Sequence, residues 1–240
     1  MGVTNIEWTN VTWNPVTGCT KVSEGCKNCY AEQFAKRLKA MENKRYENGF
    51  ELTLHWDKIK EPLKWRKPRL IFVNSMSDLF HEKIPMEFIE EVFYTMGKAD
   101  HHIFQILTKR SKRLREVARL LKWHDNVWIG VSVENQNNVY RIDDLRQVPA
   151  KVRFISFEPL IGRITDFSLE KIHWVIVGGE SGARARSIQS SWVRIIRDRC
   201  IQERVPFFFK QWGGRTSKAN GRILDGEIWS EYPCYNFIAK

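Results

Sequence analysis

Three of the chain's five cysteines, Cys19, Cys26 and Cys29, fall within the eleven residues CTKVSEGCKNC, while Cys200 and Cys234 lie far off. Thiolate is a soft ligand that selects zinc or an iron–sulfur cluster over hard cations. Three thiols are one short of the four protein ligands of a closed structural zinc site. They match a cluster that keeps one iron open to a small molecule. Spacing alone leaves three readings side by side: a cluster, a zinc site completed by a distant side chain, and reduced thiols with no ligand. His55, His81, His101, His102, His124 and His173 are the histidines available as a distant ligand, and His81, in DLFHE, is the best placed.

The elements that must carry this loop follow from hydrophobic pattern. Val11–Thr17 predicts a first strand that runs into the loop, and the helix-compatible YAEQFAKRL follows it, to about Lys39. Apolar, largely β-branched or aromatic runs at 69–73, 103–107, 127–133, 152–157, 174–177 and 206–209 predict six buried strands. Between them lie amphipathic stretches. Pro85 opens one, with Phe88, Ile89, Val92, Phe93 and Met96 as its stripe. Ser111 is the expected N-cap of the next, and Ser190 or Ser191 that of a helix facing inward with Trp192, Val193, Ile196 and Cys200. Strands alternating with helices imply parallel pairing through right-handed crossovers. The expected architecture is α/β, a partial (β/α) barrel of about six or seven parallel strands in one domain over 1–240. A surface insertion is expected at about 40–68 and a C-terminal extension at about 213–240.

Polar residues and glycines collect just after each strand. They are Asn74, Ser75, Ser77 and Asp78; Thr108, Lys109 and Arg110; Ser132, Glu134 and Asn135; Glu158; Gly178, Gly179 and Glu180; and Lys210 and Gln211. In a parallel barrel all such tips share the C-terminal mouth, where active sites form. The cysteine loop, leaving the first strand, reaches the same mouth. Carboxylates at buried strand ends need partners, which singles out Glu134, Glu158 and Glu180.

With 39 Lys and Arg against 28 Asp and Glu, the formal charge is +11. That balance favours a polyanionic partner, nucleic acid (DNA or RNA) first. No apolar run approaches the roughly 20 residues of a membrane span. The start MGVTNIEWTN carries no signal peptide, and Ile6 stands where a myristoylation site needs Ser or Thr. Clustered free cysteines without a secretory leader lead us to expect a cytoplasmic protein.

The segments IEWTNVTWNPVTGCTKVSEGCKNCYAE, RYENGFELTLH, FVNSMSDLFHE, FQILTKR, VWIGVSVEN, FISFEPLIG, WVIVGGESG, VPFFFKQWGG and GRILDGEIWSEYP span nearly the whole chain. Together they resemble the phage-associated family of unknown function labelled phage gp thirty-seven/sixty-eight, which is similar to radical S-adenosylmethionine (SAM) iron–sulfur proteins. The superfamily spacing is C-x3-C-x2-C; here it is C-x6-C-x2-C, with Tyr30 just after the last cysteine.

The resemblance implies a 4Fe–4S cluster on Cys19, Cys26 and Cys29, with SAM chelating the fourth iron through its amine and carboxylate. One electron from a donor then splits SAM into methionine and a 5′-deoxyadenosyl radical that takes hydrogen from a substrate. It further implies that Asn74, Ser75, Ser77 and Asp78 face the methionine amine, and that Lys109 or Arg110 faces the carboxylate. Ser132 and Glu134 would meet the ribose. Glu158, Gly178, Gly179 and Glu180 would surround the rest of the cofactor, with Lys210 and Gln211 toward substrate. For a nucleic-acid substrate the expected contacts are Arg184, Arg186, Arg194 and Arg197, with Trp56, Trp65 and Trp212 as stacking surfaces. The competing class is a non-enzymatic, zinc-stabilised nucleic-acid-binding protein.

Overall fold

The computed structural model describes residues 2–4 and 6–234. Met1, Asn5 and 235–240, the last being the end of the expected C-terminal extension, lie outside the described residues. In chain order the elements are β1 (Gly2–Val3), β2 (Val11–Trp13), β3 (Val16–Thr17), α1 (Tyr30–Ala40), β4 (Thr53–Leu54), β5 (Leu70–Val73), α2 (Met86–Lys98), β6 (Ile103–Thr108) and α3 (Ser111–Ala118). Then come β7 (Val127–Ser132), α4 (Tyr140–Arg146), β8 (Val152–Phe157), β9 (Trp174–Gly178), α5 (Ser190–Glu203), β10 (Phe207–Gln211), β11 (Ile223–Leu224) and β12 (Glu227–Ile228). Seven strands, β2 and β5 to β10, pair in sequence order and in parallel, with β1 antiparallel on the β2 edge. The sheet is an open α/β partial barrel.

Strand alternation splits the core into two layers. One face of the sheet packs Ile71, Val73, Phe104, Ile106, Ile129, Val131, Ile155, Phe157, Val175 and Val177 against the helices. The other, concave face carries Phe72, Trp128, Phe154, Trp174, Ile176 and Phe208, sealed by Trp8 from the N-terminal segment. Trp8 meets Trp174 edge-on at 6.1 Å and Phe72 at 4.7 Å between ring centroids. Gly130 belongs to this floor for a steric reason: a Cβ there would stand 2.5 Å from the Phe154 ring.

Both sheet edges are covered, which removes the template for pairing with another chain. Besides β1 on β2, residues 229–231 run antiparallel along β10, with Phe209 N donating to Trp229 O at 3.1 Å and Glu231 N to Phe207 O at 3.2 Å. Tyr232 then stacks on Trp174 at 5.2 Å, and its hydroxyl donates to Glu7 O at 3.4 Å.

Three local expectations are corrected. The first strand is not continuous over Val11–Thr17: it stops at Trp13, and Val16–Thr17 turns away to pair antiparallel with Thr53–Leu54. Pro15 has no N–H for a ladder, and the Asn14 side chain accepts instead from Ser75 Oγ and Met76 N, both at 3.1 Å. Ser111 is not a cap. It is the first helical residue, and its hydroxyl donates to Asp144 Oδ2 at 2.6 Å, tying α3 to α4. Ser190 is likewise inside α5, whose N-cap is Gln189, and its Oγ accepts from Arg194 Nη1 at 3.3 Å. Residues 40–68 hold three 3-10 turns and bury Tyr46, Ile59 and Trp65 against the body.

Candidate functional site

The cysteine loop lies over the C-terminal ends of the strands, and four strand tips hold it there. After β2 and β3, Gly18 N donates to Met76 O at 3.0 Å, and Gly18 bridges to Ser77 in the tip after β5. Gly18 has φ +80°, and a Cβ there would stand 2.1 Å from Glu51 O, so the turn into the loop requires glycine. Cys19 N donates to Phe50 O at 3.2 Å.

The tips of β5 and β6 contribute Asp78 and Arg110, both buried. Asp78 accepts from Phe80 N at 3.0 Å, Thr108 Oγ1 at 2.7 Å, Lys109 N at 3.0 Å and Arg110 Nη1 at 3.4 Å. A guanidinium has five N–H donors in a fixed fork, and Arg110 uses all of them. Nε donates to Glu82 at 2.9 Å, Nη1 to Asp78 and to Cys19 Sγ at 3.4 Å, and Nη2 to Thr20 O at 3.0 Å and Thr20 Oγ1 at 2.8 Å.

The tip of β7 contributes Glu134, which is 0% exposed. Ser23 Oγ donates to its Oε1 at 2.6 Å, and Arg141 Nη1, from α4, donates to its Oε2 at 2.8 Å. Lys109 Nζ stands 4.0 Å away. The loop lies so close above this carboxylate that a Cβ at Gly25 would come within 2.5 Å of Glu134 Cγ. Asn135 adds a bond from Nδ2 to Glu24 Oε2 at 3.2 Å.

The tip of β9 contributes Glu180, which accepts from Asn28 Nδ2 at 2.9 Å and from the Arg186 guanidinium at 2.5 and 2.9 Å. Burial alone would raise this carboxyl, but the donors from Arg186 and Asn28 outweigh it and hold it below the usual range. Arg186 Nη2 also donates to Glu24 O at 3.1 Å.

The thiols themselves are free, partly exposed and without disulfides. Burial, with Asp78 beside it, pushes the Cys19 thiol up to about 11 against the opposing pull of Arg110. Among the described residues no three His, Cys, Asp or Glu side chains converge as ligands of a single ion. His81 is engaged at both ring nitrogens: Nδ1 accepts from Lys83 N at 3.2 Å, which leaves the proton on Nε2 to donate to Thr20 Oγ1 at 2.9 Å. Burial, then the Arg110 guanidinium, lowers the pKa of this ring below the usual imidazole value.

The remaining tip residues lie around the concave face. Lys109 Nζ donates to Ser132 Oγ at 3.3 Å. Ser132 pairs in register with Ser156, whose hydroxyl is buried without a hydrogen-bond partner, as is the Asn74 amide nitrogen. Asn74 itself sits at φ +61°, with Oδ1 accepting from Val16 N at 3.3 Å. Ser75 offers its carbonyl to the Tyr30 hydroxyl, and Ser77 Oγ donates to Val16 O at 2.9 Å. Glu158 is ion-paired to Lys210. Gly178 faces Glu158, since a Cβ there would lie 3.3 Å from its carboxyl carbon. The space above Gly179 is filled by the chain itself, with Trp212 O 2.0 Å from where a Cβ would be. Gln211 Nε2 donates to Gly179 O at 3.1 Å.

Three of the four arginines expected to meet nucleic acid are otherwise occupied, while Arg184 contributes its backbone carbonyl to Asn28 Nδ2 at 2.8 Å. Arg186 binds Glu180, and Arg194 and Arg197 both bind Asp225, at 2.7 and 2.5 Å. Of the three tryptophans expected to stack bases, Trp65 is buried and Trp212 is packed on Phe209 with its indole N–H donated to Ile223 O; Trp56 alone is exposed. Arg141, Ser23, Asn28 and Thr20 were missed as site residues. Arg141 had a signal, since it shares a helical face with Ile142 and Leu145, where a buried cation requires a carboxylate.

An open parallel half-barrel with a three-thiol loop across its mouth is thus the class that fold and site define. The family described as "Protein of unknown function (DUF5131)" matches residues 3–233, and the chain belongs to that family. No curated protein matches. Among solved structures, the chain is similar to a double mutant of spore photoproduct lyase with bound AdoMet and dinucleoside spore photoproduct. That match has 12% identity and a TM-score of 0.48, and covers 78% of this chain and 60% of that one. It is also similar to spore photoproduct lyase complexed with dinucleoside spore photoproduct, at 12% identity and a TM-score of 0.45, covering 77% and 59%. The chain therefore spans about 60% of the length of the solved chains it matches.

Proposed function

We propose that this protein is a radical SAM-type enzyme in which Cys19, Cys26 and Cys29 hold a 4Fe–4S cluster and SAM lies over the concave mouth, with a nucleic acid as substrate. The observation that carries this reading is the cysteine loop itself. It is laid across the barrel mouth and anchored by Arg110, Glu134 and Glu180, while its three cysteines form no disulfide. The donor set fits: three soft ligands on one loop leave a cluster iron open. Asn74 Nδ2 and Ser156 Oγ are buried polar atoms still lacking partners, and a bound ligand's polar atoms would satisfy them. When bound, the cluster would supply one-electron chemistry to SAM.

The chain's own residues divide into two sets under this reading. Asp78, Arg110, Glu134, Glu180 and Gly179 position the loop and its neighbouring turns. Asn74, Ser75, Ser77, Lys109, Ser132, Glu158 and Gly178 remain as the cofactor-facing group, with Lys210 and Gln211 toward substrate. Lys109 is a half-buried cation suited to a carboxylate.

The test is anaerobic reconstitution with iron, sulfide and zinc analysis, followed by an assay for SAM cleavage. A brown protein that forms 5′-deoxyadenosine, and loses both properties in Cys19→Ala, Cys26→Ala and Cys29→Ala, is expected. A colourless protein with about one zinc per chain, or cysteine variants that keep a full cluster spectrum, would sink the reading.

A further inference from the structure

The outer surface of α1 carries a feature that the core does not require. Tyr30 is 51% exposed, Phe34 49% and Met41, just past the last turn, 75%, and Arg37 is exposed between them. At about 100° per residue these positions fall within an arc of about 60°. The buried face, Ala31, Ala35 and Leu38, is centred roughly 100° further round the helix. Two aromatics, a guanidinium and a thioether therefore form one line along the helix, about 16 Å long. The line begins at the mouth. Tyr30 directly follows Cys29, and its hydroxyl is tied to Ser75 O in the tip after β5 while its ring stays open to solvent.

We propose that this line is a stacking platform for a single-stranded nucleic acid that enters the barrel mouth. Charge selects this occupant over a protein helix. The segment from Cys19 to Met41 carries Lys21, Lys27, Lys36, Arg37 and Lys39 against Glu24 and Glu32. Glu32 is already bound by Lys21 at 3.2 Å and Lys36 at 2.9 Å. An aromatic line in a field of cations suits bases stacked on rings with phosphates alongside. Tyr30 and Phe34 are about 6 Å apart along the axis, and every base has a face to stack, so the platform reads strandedness and not sequence. Duplex bases are already stacked on one another and cannot use it. Only the strand's destination rests on the active-site reading above; the binding surface stands by itself.

The experiment is fluorescence anisotropy of the full chain with an oligothymidylate of about 12 nucleotides, within the usual site size. Its RNA counterpart and a duplex of equal length complete the set. Single strands should bind more tightly than the duplex. Phe34→Ala should weaken them at least about fivefold, the smallest effect expected for one lost stacking partner. Arg37→Gln should reduce the slope of log affinity against log salt by about 0.7. Ile201→Ala, at an equally exposed apolar position on α5, should change neither. No binding at low salt, or binding indifferent to Phe34→Ala, would overturn the platform. So would Phe34-dependent self-association in light scattering, which would assign the line to a second copy of the chain. Absence of SAM cleavage by the wild-type protein, with Phe34-dependent binding intact, would refute the enzymatic reading and leave the platform standing.

Discussion

Replacing Glu134 by Gln tests whether the strand-tip carboxylates hold the cysteine loop. The carboxylate is 0% exposed and its partner Arg141 is 1% exposed. Glutamine fills the same volume but presents an amide where both neighbours, Ser23 Oγ and Arg141 Nη1, donate. One of those donors then loses its acceptor, and a buried guanidinium loses its counter-charge. Breaking a buried pair from one side costs about 3–5 kcal/mol. Arg141 keeps a bond to Ser132 O at 2.7 Å, which places the expected loss near the lower end, about 3 kcal/mol. At roughly 2–4 °C per kcal/mol for a chain of this size, the melting temperature of the metal-free protein should fall by roughly 6–12 °C. Trypsin should also begin to cut after Lys21 and Lys27, which flank the released Ser23–Gly25 segment. Arg141→Met in the Glu134→Gln background should recover much of the stability, because the stranded charge is gone. A fall of under about 2 °C with the loop still resistant to trypsin would refute the anchoring argument.

Two further outcomes concern protonation. In metal-free protein at pH 8, a Cys19 thiol held at about 11 is thiolate in roughly one molecule in a thousand. Its alkylation, followed by mass spectrometry, should therefore be far slower than that of an unstructured peptide thiol; equal rates would contradict the buried setting. Burial, then the neighbouring His101, lowers His102 from 6.5 to about 4. The unfolded chain takes up this proton first as pH falls, so the stability is complete above about pH 6.5 and is lost between there and pH 4, by about 2 kcal/mol at pH 5. Urea unfolding of His102→Gln should lack that part of the pH dependence, and an unchanged pH dependence would remove His102 as its source.

The six strands from β5 to β10 were legible because each is a short apolar run between turn residues, and the parallel sheet follows from alternation with helices. That polar residues gather at the tips was equally plain. What those tips do was not. Ser23 meets Glu134 across 111 positions and Asn28 meets Glu180 across 152, and no local pattern encodes such partners. Cap positions misled in the same way, since Ser111 has a better acceptor in Asp144, on a different helix. Tryptophan is a poor marker of a stacking surface in this chain, because its size draws it into the floor and the core. The exposed Tyr30 and Phe34 lie in a helical pattern that does not set them apart from other helix residues.

The seal made by Tyr232 on Trp174 and Glu7 bears on how the chain matures during synthesis. Its hydroxyl bond spans 225 positions, so the part of the aromatic floor beyond Trp8 stays uncovered until residue 232 has left the ribosome. Until then a growing chain displays Trp174, Phe208 and the unpaired side of β10 to its surroundings. Such half-finished sheets are sticky, and stalled or shortened chains ending before residue 229 should accumulate in inclusion bodies or on chaperones even though every residue of the cysteine loop is present.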